Sequence, residues 1–323
     1  MYLRKVTGFG TANGTFGELL QGVLPEDERH FLVTLPIAGW AHAAFHYLPD
    51  RPEVEVRPAH KTKARRLAMR LLRTYGISGG GVVELGGALP EGKGLASSSA
   101  DLVATARAIA DAIGISLDAA AIEGFLRDVE PSDGVMYPGI VSYHHREVRL
   151  REKLGFLPPL TIVAHDLGGM VDTIRFNRST ALPPMRVRHE YRALLAEMAT
   201  AVRAGDLITV GRIATRSAEL HVHRHPRADF AQLRQVCREV GGLGLAIAHS
   251  GTYLGILLGE HREGEERTAA ALARCADLPG KVRVFRTLGA ADYPTGPATA
   301  GPASRCGEGL TELREQVREG TPT

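Results

Sequence analysis

Pro90-Glu91-Gly92-Lys93-Gly94-Leu95-Ala96-Ser97-Ser98-Ser99-Ala100-Asp101 is a glycine-rich turn running into three consecutive serines. Before it, Val82 to Leu85 reads as a short strand. After it, Leu102, Ala106 and Ile109 recur at helical spacing, so Asp101 to Ile113 reads as a helix whose first turn starts near Ser97 and which Gly114 ends. Glycines let the backbone fold tightly and turn its N–H groups outward. A helix start adds unpaired N–H groups and the positive end of the peptide dipoles. Together they form a cradle for an anion, and phosphate is the usual guest. Serine hydroxyls at that point can reach Mg²⁺, a hard ion that takes oxygen ligands. The plain alternative is that the serines cap the helix. One serine would satisfy a cap, and three behind Gly-Lys-Gly are more than a cap needs. A second alternative is a P-loop over Gly87 to Gly94, but Gly94 stands where that motif requires a hydroxyl.

On the N-terminal side, Phe31 to Pro36 and Ala41 to Tyr47 read as short strands, and Glu53 to Arg57 alternates Val with charge as a half-exposed strand does. Ala64, Leu67, Ala68, Leu71 and Leu72 place an amphipathic helix over Lys61 to Tyr75, its basic side a solvated face. Beyond the loop, Leu117 to Val129 reads as a helix closed by Pro131. A second half opens near Leu154, with strands at Leu160 to Ala164, Leu245 to Ala248, Tyr253 to Leu258 and Lys281 to Arg286. Its helices fall at Val187 to Ala204, Leu207 to Leu220, Asp229 to Val240 and Thr268 to Ala276. Strands and helices interleave without strict βαβ alternation, which makes the class α+β. The expected division is 1–153, 154–289 and a Pro/Gly/Ala/Thr-rich tail over 290–323 that is disordered or weakly ordered.

The 323 residues are enough for two medium domains. A net charge of +3 gives no basic patch of the kind that binds nucleic acid or a membrane surface. Cys237, Cys275 and Cys306 form no Cys-x-x-Cys pair, which argues against a disulfide framework or a zinc site. The first ten residues lack the apolar core of a signal peptide, and no run of eighteen apolar residues occurs, so the expected compartment is the cytoplasm. His221-Val222-His223-Arg224-His225 would put three imidazoles on one face if extended, but zinc ligands are normally spaced more widely, and a solvated linker is the simpler reading. His144-His145 is read in the same way.

The loop resembles the phosphate loop of the GHMP kinases, P-x-x-x-G-L-G-S-S-A, with Ala96 in place of the second Gly and Ser99 in place of the Ala. Gly17-Glu18-Leu19-Leu20-Gln21-Gly22 resembles that family's first motif, and Ala248-His249-Ser250-Gly251-Thr252-Tyr253 its third, both in the form of the L-threonine kinase branch linked to cobalamin synthesis. Glu130-Pro131-Ser132-Asp133 and Asp172-Thr173 also look like that branch, although Ala12 to Phe16 departs from it. The resemblance covers roughly residues 10–258.

This resemblance implies two domains, one like the second domain of ribosomal protein S5 and one ferredoxin-like, with ATP, Mg²⁺ and a small alcohol between them. It makes Pro90, Gly92, Gly94, Leu95, Ala96, Ser97, Ser98 and Ser99 the ATP loop, and Ser98 and Glu130 the Mg²⁺ ligands. Asp133 becomes the general base or a substrate-orienting group; a capping role after Pro131 is the alternative. Lys93 becomes a phosphate cation. Ser250, Gly251 and Thr252 form a second nest, Asp172 and Thr173 meet a substrate amino group, and Glu18 and Gln21 lie near the substrate or at the domain junction. The implied reaction gives O-phospho-L-threonine from L-threonine. The alternatives are a homoserine-like or natural-product alcohol, or a non-catalytic nucleotide-binding regulator.

Overall fold

The computed structural model describes residues 7–169, 182–248, 252–260 and 264–293. Its ten strands form one sheet in the order β10-β7-β9-β8-β1-β2-β4-β3, with β5 joined to β2 and β6 joined to β5. In chain order they are β1 (Thr7–Val23), β2 (His30–Leu48), β3 (Val54–Arg57), β4 (Gly80–Gly87), β5 (Ile140–His144), β6 (Arg149–Gly155), β7 (Leu160–Asp166), β8 (Gly244–Ile247), β9 (Tyr253–Gly259) and β10 (Lys281–Arg286). The helices are α1 (Thr62–Thr74), α2 (Ser97–Ile113), α3 (Ala119–Leu126), α4 (Met185–Ala204), α5 (Leu207–Arg224), α6 (Phe230–Glu239) and α7 (Gly264–Ala276). Of the strand pairs, only β3 with β4 is parallel. The fold is α+β, as the residue pattern leads one to expect.

The strongest periodicities correspond to the clearest elements. Ala64, Leu67, Ala68, Leu71 and Leu72 are the buried stripe of α1. In α2 half of the buried residues are alanine, and that face lies against glycines of β1. A Cβ on Gly10 would stand 2.2 Å from the Ala104 carbonyl oxygen, and one on Gly8 would stand 2.3 Å from that of Ala108. Small residues on both sides bring the helix backbone down onto the strand, which fixes the height of its N-terminus above the sheet.

Several expectations need correction. The two short strands of the early segment are one long strand, β2, which pairs along most of its length with the slightly shorter β1. Pro36 and Gly39 look like breaks in the sequence, and the chain absorbs them in register shifts between the two strands. The β5–β6 hairpin escaped notice because Pro138 and Gly139 obscure its start and charge alternates along β6. The His221 to His225 segment is the last turn of α5, not an extended linker, and the His221 and His225 rings stand 4.9 Å apart across one helical turn. Among the described residues no cluster of three metal-ligating side chains occurs, and no helix is long and apolar enough to cross a membrane. Cys237 and Cys275 are free and buried. A 3₁₀ turn, Ala290–Asp292, opens the tail; residues 294–323 lie outside the described residues.

One apolar cluster gathers α1, α2 and α3 against the sheet with residues drawn from 12–148. A second joins β1 and β2 to α4, α5, β7 and β9, and a third lies under α6 and α7. Strand β1 thus packs toward both ends of the sheet. It meets β8 where Glu18 lies opposite Ile247.

Candidate active site

The loop before α2 turns on Gly92 and Gly94, both at positive φ, and enters the helix through Ala96 at φ 56, ψ 27. Ala96 is the N-cap residue, and no side chain caps the helix. The three serines are therefore not occupied as caps, and the first-turn N–H groups keep their capacity for an anion. Two backbone bonds seat the loop on β1: Thr15 N donates to the Leu95 carbonyl at 3.2 Å, and Gly17 N to that of Gly94 at 3.3 Å.

The serines have separate surroundings. Ser98 is exposed, and its hydroxyl donates to Glu130 Oε1. Ser99 is buried, and its hydroxyl accepts from the Asp133 amide at 3.1 Å. Glu130 Oε2 meets the Lys63 ammonium. The segment after α3 is thus tied to the first turn of α2 at two points, bringing Ser98, Glu130 and Asp133 together. Burial, and then the Glu130 carboxylate, push the Asp133 carboxyl up to about 6, against the pull of the Ser99 hydroxyl.

Lys93 reaches the other half of the chain. Its ammonium lies 2.8 Å from Asp166 Oδ2, 2.7 Å from the Gly169 carbonyl oxygen and 3.3 Å from Thr252 Oγ1. Thr252 donates its hydroxyl to Asp166 Oδ1. Burial raises the Asp166 carboxyl, but the bonds from Lys93, Thr252 and Gly168 outweigh it and hold the group below the usual range.

Lys61 bridges Glu91 Oε1 at 2.6 Å and Asp101 Oδ2 at 2.5 Å. The chain has six lysines, Lys5, Lys61, Lys63, Lys93, Lys153 and Lys281, among 39 basic residues. Lys61, Lys63 and Lys93 each pair with a carboxylate around this one loop. An ammonium is a compact charge that changes partner readily, whereas a guanidinium fits a planar fork. Beside Lys61 lies a cavity of about 190 Å³ lined by Trp40, Pro58, Leu85, Leu89, Glu91 and neighbouring residues.

Glu18 and Gln21 are buried on β1 at its crossing with β8. Gln21 Nε2 donates to Glu18 Oε2 at 3.4 Å, and the Gln21 amide donates to Ser217 Oγ of α5 at 3.1 Å. Asp172, Thr173, Ser250 and Gly251 lie outside the described residues. Sequence reasoning missed Asp166, Lys61 and Lys63. The scarcity of lysine was a usable signal for the last two, and Asp166 showed only as a polar residue where a strand runs into Gly168-Gly169.

Residues 62–137, which run from α1 through the loop and past Asp133, match the profile of the GHMP kinases N-terminal domain. The chain is 27% identical over 267 residues to the L-threonine kinase of Salmonella typhimurium, covering 80% of this chain and 85% of that protein. It is 27% identical over 199 residues to the homoserine kinase of Pyrococcus horikoshii, covering 58% of this chain and 67% of that protein. The crystal structure of homoserine kinase from Cytophaga hutchinsonii has the same fold, with a TM-score of 0.71 at 16% identity over 90% of this chain and 96% of that one. The uncapped glycine-rich helix start, and the hydroxyl and carboxylate that meet beside it, thus lie in the stretch that matches the N-terminal domain of the GHMP kinases, phosphotransferases that act on the alcohol group of a small molecule.

Proposed function

We propose that the protein transfers the γ-phosphoryl group of ATP to the hydroxyl of an amino-acid-like alcohol, with L-threonine as the first candidate and O-phospho-L-threonine as product. The observation that carries the reading is the meeting of Ser98, Glu130 and Asp133 at the open N-terminus of α2. The choice of L-threonine rests on the similarity to the Salmonella enzyme along most of the chain. Homoserine is the second reading, because the Pyrococcus enzyme is similar at the same identity over a shorter stretch.

The first-turn amides of α2 and the backbone of Gly92 to Ala96 hold the phosphates. The Ser98 hydroxyl and the Glu130 carboxylate are hard oxygen donors side by side, the kind Mg²⁺ takes, and they would hold the ion. When bound, Mg²⁺ neutralises the phosphate charge. Asp133 takes the proton of the acceptor hydroxyl, a role suited to a carboxylate whose pKa stands near neutrality. Lys93 brings positive charge to the loop, held there by Asp166 and Thr252. The cavity beside Lys61 receives the base of the nucleotide, with Trp40 on its wall. The division near residue 154 belongs to the same reading; it is supported by the cluster built wholly from residues 12–148.

Release of ADP from Mg·ATP against L-threonine, L-serine, L-homoserine, amino alcohols, mevalonate and galactose tests the proposal. Turnover with L-threonine that falls by roughly 10²-fold or more in Ser98→Ala supports it. Turnover with L-homoserine in preference replaces the acceptor and keeps the chemistry. No turnover with any of them, alongside tight Mg·ATP binding, would favour a nucleotide-binding regulator. Trp40 is the one tryptophan of the chain. Its fluorescence should therefore change on adding ADP, and an unchanged spectrum with bound ADP would remove the base from that cavity.

A further inference from the structure

The Lys93 ammonium has three hydrogens, and acceptors for all three come from the second half of the chain: Asp166 Oδ2, the Gly169 carbonyl and Thr252 Oγ1. Lys93 lies between Gly92 and Gly94, whose positive φ values make the turn and give it little stiffness of its own. Backbone bonds from β1 hold Gly94 and Leu95. The lysine side chain ties the stretch before them to the far side of the cleft.

The carboxylate that receives it is equally constrained. Asp166 is 5% exposed and pairs across β9 with Tyr253, the neighbour of Thr252. Its Oδ1 accepts from the Gly168 amide at 2.9 Å and from the Thr252 hydroxyl. Thr252 is held in turn: Arg227 Nη1 donates to its carbonyl at 2.8 Å, Arg227 pairs with Asp229, and Asp229 Oδ2 accepts from His165 Nδ1 at 2.7 Å. An anion held by several bonds thus faces the glycine-flanked stretch of the phosphate loop.

Building on the nucleotide reading above, we propose that Asp166 is a positioning residue for phosphoryl transfer: it holds the Lys93 ammonium, and through it the phosphate loop, in the arrangement that Mg·ATP binds. Asp166 acts through Lys93 and Thr252 and does not touch the nucleotide. A loop held ready loses less freedom when the phosphates arrive, so removing the anion weakens nucleotide binding more than it slows the transfer step.

The test is calorimetric titration of full-length wild type, Asp166→Asn, Lys93→Ala and the double variant with Mg·ATP, with steady-state kinetics on the same proteins. Each single change is expected to weaken Mg·ATP binding by about tenfold or more, and the double variant to bind no more weakly than the weaker single, because both remove one interaction. For Asp166→Asn the ATP KM rises by that factor while kcat moves by less than about threefold. Asp166→Glu recovers part of the binding, which a loss of packing alone would not allow. If Asp166→Asn does not fold, Thr252→Val is measured in its place and is expected to shift the KM in the same direction. Wild-type affinity in Asp166→Asn, or losses that multiply in the double variant, would overturn the inference and leave the nucleotide reading intact. Failure of the wild type to bind Mg·ATP would overturn that reading itself.

Discussion

Burial and the nearby Glu130 carboxylate bring Asp133 to a pKa of about 6, the value a general base for a neutral-pH reaction needs. The same shift has a sign for stability. The folded-state pKa is raised above the unfolded one, so between about pH 4 and pH 6 the folded protein holds the proton more tightly, and stability falls as pH rises through that window. Above it Asp133 is ionised in both states, and the cost, on the order of 2–3 kcal/mol, persists at neutral pH. Asp133→Asn is therefore expected to raise the melting temperature at pH 7 while lowering kcat by roughly 10²–10⁴-fold and removing the acid limb near pH 6 from kcat/KM. A variant that keeps the acid limb would take the base role from Asp133. Ser98, Glu130 and Asp133 could be read from the sequence because each lies in or beside a short motif. The Lys93–Asp166 pair could not, because it joins the phosphate loop to the end of β7, far away in the chain, and neither segment has a local pattern that points to the other.

At the scale of elements, helices with strong periodicity were legible nearly to their ends, and the strands around Gly and Pro were not. Glycines dilute the strand signal of β1; Gly8 and Gly10 make room for α2, and only the packing of the two shows it. Gly10→Ala would set a methyl carbon 2.2 Å from the Ala104 carbonyl, a backbone atom that can give way only if α2 lifts. The expected loss is about 1–3 kcal/mol of stability. Because α2 carries Ser98, weaker Mg·ATP binding should accompany it. A melting temperature equal to that of wild type would show that the helix is not held at this height. Ala96 is the opposite case. An alanine at φ 56 bears a strain of roughly 1–2 kcal/mol, and glycine would relieve it while adding roughly 0.5–1 kcal/mol of unfolded-chain freedom. Ala96→Gly is therefore expected to be neutral or to stabilise slightly in thermal melts. A clear drop would mean that the loop does not pass through the left-handed region here.

Across the whole molecule, the order of strands was the least legible feature. Periodicity marks a strand but does not say that β1 lies between β2 and β8, so one continuous sheet emerges only from long-range pairing. Polar links across that sheet are equally hidden in sequence. Arg227, in the connection between α5 and α6, has a side chain 10% exposed and is bound to Asp229, itself 3% exposed, and to the Thr252 carbonyl. Burial raises the Asp229 carboxyl, while Arg227 and His165 more than offset this and lower it. A lowered folded-state pKa contributes stability that is present above the unfolded value and lost as pH falls through the folded one. Arg227→Leu leaves a buried carboxylate with the His165 ring as its remaining side-chain partner, and a loss of about 3–5 kcal/mol at neutral pH is expected. The variant's Asp229 would then titrate at higher pH than in wild type, because the guanidinium that held it down is gone. Part of the loss should consequently disappear on acidification, as the unpaired carboxylate takes a proton and its burial costs less. Urea unfolding of both proteins at about pH 7 and about pH 5 measures this: the gap between midpoints should narrow at the lower pH. A gap of the same size at both would mean that Arg227 stabilises the α5–α6 connection by packing alone and that its charge does not hold Asp229.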